Sequence, residues 1–224
     1  MTLIVAFDRS SSKDGKEVIG TISKICNMVS GVKLGIPLFA KHGATIAREV
    51  REVCRNNMII ADLKLADIGD IMISTAEVLL PHVDAFIAHS FIGREGALDD
   101  LKSYLDSRGS KLILVASMSH KGSTEVYDKE IDSIASVIKG INPWGIVAPA
   151  TRPEVIGRLR ESLGKEIKIL SPGVGVQGAK PGVALCNGAD FEIVGRYITN
   201  SSNPVETTKL IIYEQKRRLD KCRR

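Results

Sequence analysis

Eight short apolar runs, rich in β-branched residues, recur roughly every 25 to 30 residues along this chain. They fall at 3–8, 31–36, 57–64, 85–90, 111–118, 145–150, 167–173 and 191–196. Each is almost continuously hydrophobic, without polar alternation, as expected of parallel strands covered on both faces. Helix formers in amphipathic spacing fill the intervals, at 16–29, 39–55, 70–80, 93–107, 129–139, 152–163, 178–187 and 204–218. Eight β-then-α units in 224 residues predict an α/β fold, a (β/α)8 TIM barrel, with one domain spanning 1–224. No linker interrupts the pattern, and the polar stretches at 10–15 and 119–124 are short enough to be βα loops.

Several runs end in charge. Met58-Ile59-Ile60-Ala61 leads straight into Asp62-Leu63-Lys64-Leu65-Ala66-Asp67. Lone buried charges are costly, so such a group either pairs or serves a ligand. In a barrel the C-terminal strand ends form the active face. That rule gathers Asp8, Lys33, Asp62, Lys64, His89 and Ser119 at one mouth, with His89 open between a pocket group and a hydrogen-bonded structural histidine. The seventh run opens into Ser171-Pro172-Gly173-Val174-Gly175-Val176-Gln177-Gly178 and the eighth into Gly195-Arg196. A Gly-rich loop and an arginine at these two positions suit a phosphate, through backbone N–H groups, an amide and a guanidinium.

Other classes fit poorly. The net charge of +5 is concentrated in Lys216-Arg217-Arg218 and Lys221-Cys222-Arg223-Arg224, a solvated helix end. With only 4% aromatic residues there is little for bases to stack on, so no nucleic acid is expected as a partner. Cys26, Cys54, Cys186 and Cys222 are widely spaced, without a Cys-x-x-Cys pair, and read as buried small hydrophobes or bystanders. The apolar start, Met1 to Phe7, is too short for a signal peptide or a membrane span. No membrane association and a cytoplasmic location are expected.

Taken together, Asp62-x-Lys64-x-x-Asp67-Ile68, Asp8, Lys33 within Val32-Lys33-Leu34-Gly35, Met118-Ser119-His120, the 171–178 loop and Val194-Gly195-Arg196 resemble the orotidine 5′-phosphate decarboxylase family over all eight strands. The resemblance implies loss of CO2 from orotidine 5′-monophosphate (OMP) to give UMP, a step of de novo pyrimidine biosynthesis, with no metal or organic cofactor. It implies a homodimer in which Asp67 is contributed to the partner's site. It further implies catalytic roles for Lys64, Asp62, Asp67 and Lys33, a net-neutral tetrad in which Lys64 stabilises and protonates the carbanion at C6. Asp8 and Lys33 would meet the ribose and Ser119 the pyrimidine. Pro172, Gly173, Val174, Gln177, Gly195 and Arg196 would surround the phosphate, and Ile68 would lie beside Asp67 as a further substrate contact. Three residues after Ile68 the family commonly has a threonine, where this chain has Ile71.

Two alternatives are weighed. The Mg2+-dependent 3-keto-L-gulonate-6-phosphate decarboxylases and hexulose-6-phosphate synthases share Asp-x-Lys-x-x-Asp but hold a metal-binding Glu where this chain has Lys33, which would repel a dication. A non-catalytic barrel predicts a broken tetrad, and all four members are present here.

Overall fold

The eight expected strands close into a parallel barrel in the computed structural model, which describes residues 1–8 and 14–222. Most of the expected polar loop after the first strand, residues 9–13, lies outside the described residues, as do Arg223 and Arg224. The strands are β1 Leu3–Phe7, β2 Gly31–Gly35, β3 Met58–Leu65, β4 Ala85–His89, β5 Lys111–Val115, β6 Gly145–Val147, β7 Lys168–Pro172 and β8 Phe191–Val194. They pair in sequence order, and β8 returns to β1. The helices are α1 Gly15–Ile25, α2 Ile36–His42, α3 Thr45–Val53, α4 Gly69–Glu77, α5 Asp99–Ser107, α6 Ile131–Ile141, α7 Pro153–Leu163, α8 Val183–Cys186, α9 Arg196–Thr199 and α10 Pro204–Cys222. No helix among the described residues is long and apolar enough to cross a membrane.

Strand parity explains why the apolar runs are unbroken. Side chains of alternate residues point to opposite faces. Ile4, Ala6, Ile60, Ile87, Ile113, Val115, Val147, Leu170 and Ile193 fill the barrel interior, whereas Leu3, Val5, Phe7, Val32, Leu34, Ile59 and Ile169 pack against the helices. Both faces are dry, so both parities are apolar. Towards the C-terminal ends the inward parity turns polar, at Asp8, Lys33, Asp62, Lys64 and His89.

Local backbone chemistry shortens three expected helices. The stretch 39–55 divides into α2 and α3 at Gly43, whose φ of 63° suits glycine and stops a helix. Within 93–107, Gly93 and Gly96 take φ of 84° and 70°, and regular helix begins only at Asp99. Of 178–187 only the four residues of α8 are helical, because Gly178, Pro181 and Gly182 precede them.

The four cysteines are not the unpaired small hydrophobes that their spacing suggests. Cys26 is bonded to Cys54 and Cys186 to Cys222, with Cα separations of 5.8 and 5.9 Å. Cys26, Cys54 and Cys186 lie just before β2, β3 and β8, on the face opposite the mouth. Their proximity arises only when the barrel closes, which is why sequence spacing conceals it.

One carboxyl group is buried far from the mouth. Glu192, on the outward side of β8, is fully buried and accepts the N–H groups of Gly182 at 2.8 Å and Ala184 at 3.1 Å, together with the Gln215 amide at 3.0 Å. Burial pushes its pKa up, and these hydrogen bonds offset the shift only in part. A raised carboxyl pKa contributes stability that is fully present below the unfolded value of about 4.3 and is lost as pH rises through the folded value. The melting temperature of the unmodified protein, minus that of Glu192→Gln, is therefore expected to fall as pH is raised from about 4. A difference that stays constant up to pH 8 would contradict this account.

Candidate active site

Three strands deliver an alternating row of charges. Lys33, from the middle of β2, donates to Asp8 Oδ1 at the end of β1 and to Asp62 Oδ2 on β3, the latter at 2.6 Å. Lys64 donates to both oxygens of the same Asp62, at 2.8 and 2.9 Å. The order Asp8, Lys33, Asp62, Lys64 places every charge beside its opposite. Lys33 and Asp62 side chains are each 6% exposed, but Lys64 is 34% exposed and opens to the cavity. Of the two lysines, Lys64 is thus the one open to a ligand.

Backbone detail makes this row possible. The β3–β4 register shifts between Ala61 and Leu65, so the Asp62–Lys64 stretch is a bulge, and Lys64 itself has φ of 46°. A lysine in that region is strained by about 1 to 3 kcal/mol, a cost characteristic of functional sites. Gly35, opposite Asp62 on β2, is required by contact: a Cβ there would lie 2.5 Å from Asp8 Oδ1.

The two buried members of the row, Lys33 and Asp62, are held ionised. Burial would pull the Lys33 ammonium down, but the Asp62 and Asp8 carboxylates outweigh it and keep its pKa above the ordinary lysine value. Burial would likewise raise Asp62, yet the Lys33 and Lys64 ammonium groups hold it below the usual carboxylate range. The contribution of Asp62 to stability is present above its unfolded pKa and lost as pH falls through the folded one; that of Lys33 is lost only as pH rises through its raised value. The buried pair Lys33 and Asp62 is therefore charged at neutral pH.

A cavity of about 300 Å³ lies over this row. Asp8, Lys33, Asp62, Lys64, Ser119, Pro172, Gly173, Val174, Gln177, Gly195 and Arg196 all line it. Gly173, Gly175 and Gly178 take φ of 116°, 84° and 104°, and the turn closes through Gly175 N–H to the Ala179 carbonyl at 2.9 Å. Glycine is needed there for the backbone path. Arg196 opens α9 on the adjacent strand end, so a guanidinium and the Gln177 amide flank one side of the cavity.

Asp67 and Ile68 are not brought to this cavity within the chain. Asp67 turns back to accept the Ile68 N–H at 2.8 Å, and Ile68 is 61% exposed. The sequence also hid the cavity's apolar floor, Ala6, Ile87, Val115, Val147 and Ile193. Each reads locally as strand core; counting inward parity back from Asp8, His89 and Gly195 would have found Ala6, Ile87 and Ile193.

A sequence model described as the orotidine 5′-phosphate decarboxylase / HUMPS family matches residues 1–211. The chain is 46% identical over 209 residues to an orotidine 5′-phosphate decarboxylase of Aeropyrum pernix, covering 92% of this chain and 85% of that one. It is 43% identical to the enzyme of that name from Sulfurisphaera tokodaii, over 95% of this chain and 97% of its relative. The fold superposes on the crystal structure of orotidine 5′-monophosphate decarboxylase from Sulfolobus solfataricus with a TM-score of 0.87, at 40% identity and covering 97% and 99% of the two chains. It also superposes on the Methanocaldococcus jannaschii enzyme complexed with the inhibitor BMP, with a TM-score of 0.86 at 31% identity and coverage of 95% and 98%.

Proposed function

The chain belongs to the orotidine 5′-phosphate decarboxylase / HUMPS family, and from that premise we propose how its mouth carries out the reaction. The enzyme is a carboxy-lyase that converts OMP to UMP and CO2. Departure of CO2 leaves an electron pair in the plane of the pyrimidine at C6, with no carbonyl placed to delocalise it. Stabilisation must then be electrostatic, followed by protonation. Lys64 supplies both: its ammonium favours the developing charge and then transfers a proton to C6. The observation that carries this reading is the placement of Lys64, doubly bonded to a buried Asp62 yet open to the cavity.

The remaining groups orient the substrate. Asp8 and Lys33 meet the ribose hydroxyls, Ser119 the amide edge of the base, and Gln177, Arg196 and the 173–178 loop the phosphate. The apolar floor keeps water out, which strengthens the charge interactions above it. Gripping the remote phosphate turns binding energy into orientation at C6. In this reading the reaction needs no metal: Lys33 takes an oxygen from each of Asp8 and Asp62, where a hard cation would require those oxygens for itself. Decarboxylation of OMP is expected to proceed at an unchanged rate in excess EDTA. Loss of turnover that Mg2+ restores would favour the metal-dependent sugar-phosphate chemistry instead.

The working unit is a homodimer with shared sites, in the cytoplasm, where its charged nucleotide substrate is retained. Ile36, Ile68, Ile71 and Phe91 are exposed on the rim that follows β2, β3 and β4, and Asp67 stands among them. An apolar rim around an outward carboxylate suits a two-fold contact that sends each Asp67 to the partner's Lys64. Ile71 then supplies apolar contact where a threonine is common. Mixing inactive Lys64→Ala and Asp67→Ala variants, with subunit exchange, tests this. Random pairing makes half the dimers mixed with one intact site each, so about a quarter of the unmodified activity is expected. No recovery would place Asp67 in its own chain's site.

A further inference from the structure

The β5–α6 segment that carries Ser119 is anchored at its far end by Tyr127 and Asp128. The Tyr127 hydroxyl is hydrogen-bonded to Nδ1 of His89 at the tip of β4, and its ring lies 6.0 Å from that imidazole and 6.1 Å, edge-on, from Phe91. The next residue, Asp128, accepts the Ser117 hydroxyl at 2.6 Å and pairs with Arg152 Nε at 2.8 Å. Arg152 also donates to the Met118 carbonyl. The end of the segment is thereby bound to its own beginning and to the residues that follow β4 and β6, and Ser119 hangs from a closed base.

We propose that Tyr127, acting through His89, is a positioning residue that holds Ser119 against the pyrimidine edge of the nucleotide. This rests on the assignment of Ser119 to the base. The hydrogen bond fixes the loop to a strand whose preceding inward residue, Ile87, lines the cavity floor. Electrostatics agree. Burial first, then the nearby Lys64 ammonium, hold the His89 pKa below its usual range, while Asp62 opposes them. Burial pushes Tyr127 up to about 12. Both partners are therefore neutral near pH 7, and the bond persists over the working range.

Tyr127→Phe removes the hydroxyl and keeps the ring. Calorimetric titration with UMP and with ribose 5-phosphate separates the base from the rest of the ligand. UMP is expected to bind roughly 3- to 10-fold more weakly to the variant, with ribose 5-phosphate unchanged, KM for OMP raised and kcat within about twofold. Adding His89→Asn to Tyr127→Phe is expected to cause little further loss, because both changes break the same bond. Unchanged UMP affinity, or equal weakening of both ligands, would overturn the proposal. Ser119→Ala, measured in parallel, reports on the base assignment alone. If it leaves UMP affinity intact while Tyr127→Phe lowers it selectively, Tyr127 remains the clamp and another residue of the loop meets the base.

Discussion

Lys64→Ala is expected to abolish turnover of OMP while leaving nucleotide binding largely in place. The size of the effect follows from two separable losses. An ammonium about 4 Å from a developing negative charge, at an effective dielectric near 20, is worth about 4 kcal/mol, close to a thousandfold in rate. Removing it as the proposed proton donor costs a further factor of about 10² to 10⁴. A fall in kcat of at least about 10⁵-fold is therefore expected. Binding should survive, because the contacts proposed for the phosphate and ribose lie elsewhere and Asp62 keeps Lys33 as a partner when Lys64 is gone. UMP at a hundredfold excess over its Kd is expected to stabilise the variant by about 2.7 kcal/mol, as for the unmodified enzyme, and thermal melts with and without UMP check this. Turnover that persists in Lys64→Ala would remove Lys64 as the proton donor. Loss of the UMP effect together with activity would mean that the substitution had damaged the site as a whole.

Reduction of the two disulfides is expected to lower stability steeply and leave the chemistry of the folded enzyme untouched. The bonds close loops of 28 and 36 residues. On the chain-entropy account each is worth about 3 to 4 kcal/mol, so the pair approaches the whole net stability of an ordinary domain. For a chain of this size the corresponding drop in melting temperature is roughly 10 to 30 °C. Cys26 and Cys54 are buried, whereas Cys222 is exposed, so mild reductant is expected to open Cys186–Cys222 first. Cys186→Ser isolates that bond, which ties α8 to the end of α10. Melting curves with and without reductant, paired with thiol counting in denaturant, provide the test. Four free thiols before reduction, or a melting point indifferent to reductant, would remove the disulfides from the account. Activity assayed well below the melting transition should be equal in both forms, since the cysteines before β2, β3 and β8 lie on the face away from the mouth.

The site's main cast was legible because barrel geometry is periodic. Once eight runs are recognised, Asp8, Asp62 and Lys64 fall at or near strand ends, with Lys33 on the neighbouring β2 beside them, and strand ends in this fold meet. The glycine turn after β7 was equally legible, since Gly173, Gly175 and Gly178 occupy positive φ and few other residues tolerate it. Where local signals compete the reading slips: helical periodicity ran through Gly43 and across Pro181-Gly182, and backbone preference overrode it in both places.

Other features have no local signature. Nothing in Asp62-Leu63-Lys64 announces a bulge with Lys64 at φ of 46°, because that strain is imposed by the register of β3 against β4. Tyr127 and His89 stand 38 residues apart, and Cys186 and Cys222 stand 36 apart. Glu192 sits within an apolar strand, and only the approach of Gly182, Ala184 and Gln215 makes its burial tolerable.

By itself, then, the sequence determined the barrel and the charges gathered at the C-terminal end of its strands, because strand parity and glycine chemistry are properties of neighbouring residues. The tertiary structure alone decided which carboxylate each lysine holds, which cysteines pair, how Ser119 is braced and that Asp67 faces outward from its own chain. Those outcomes depend on distances between segments far apart in sequence, and such distances exist only after closure of the sheet has brought the segments together.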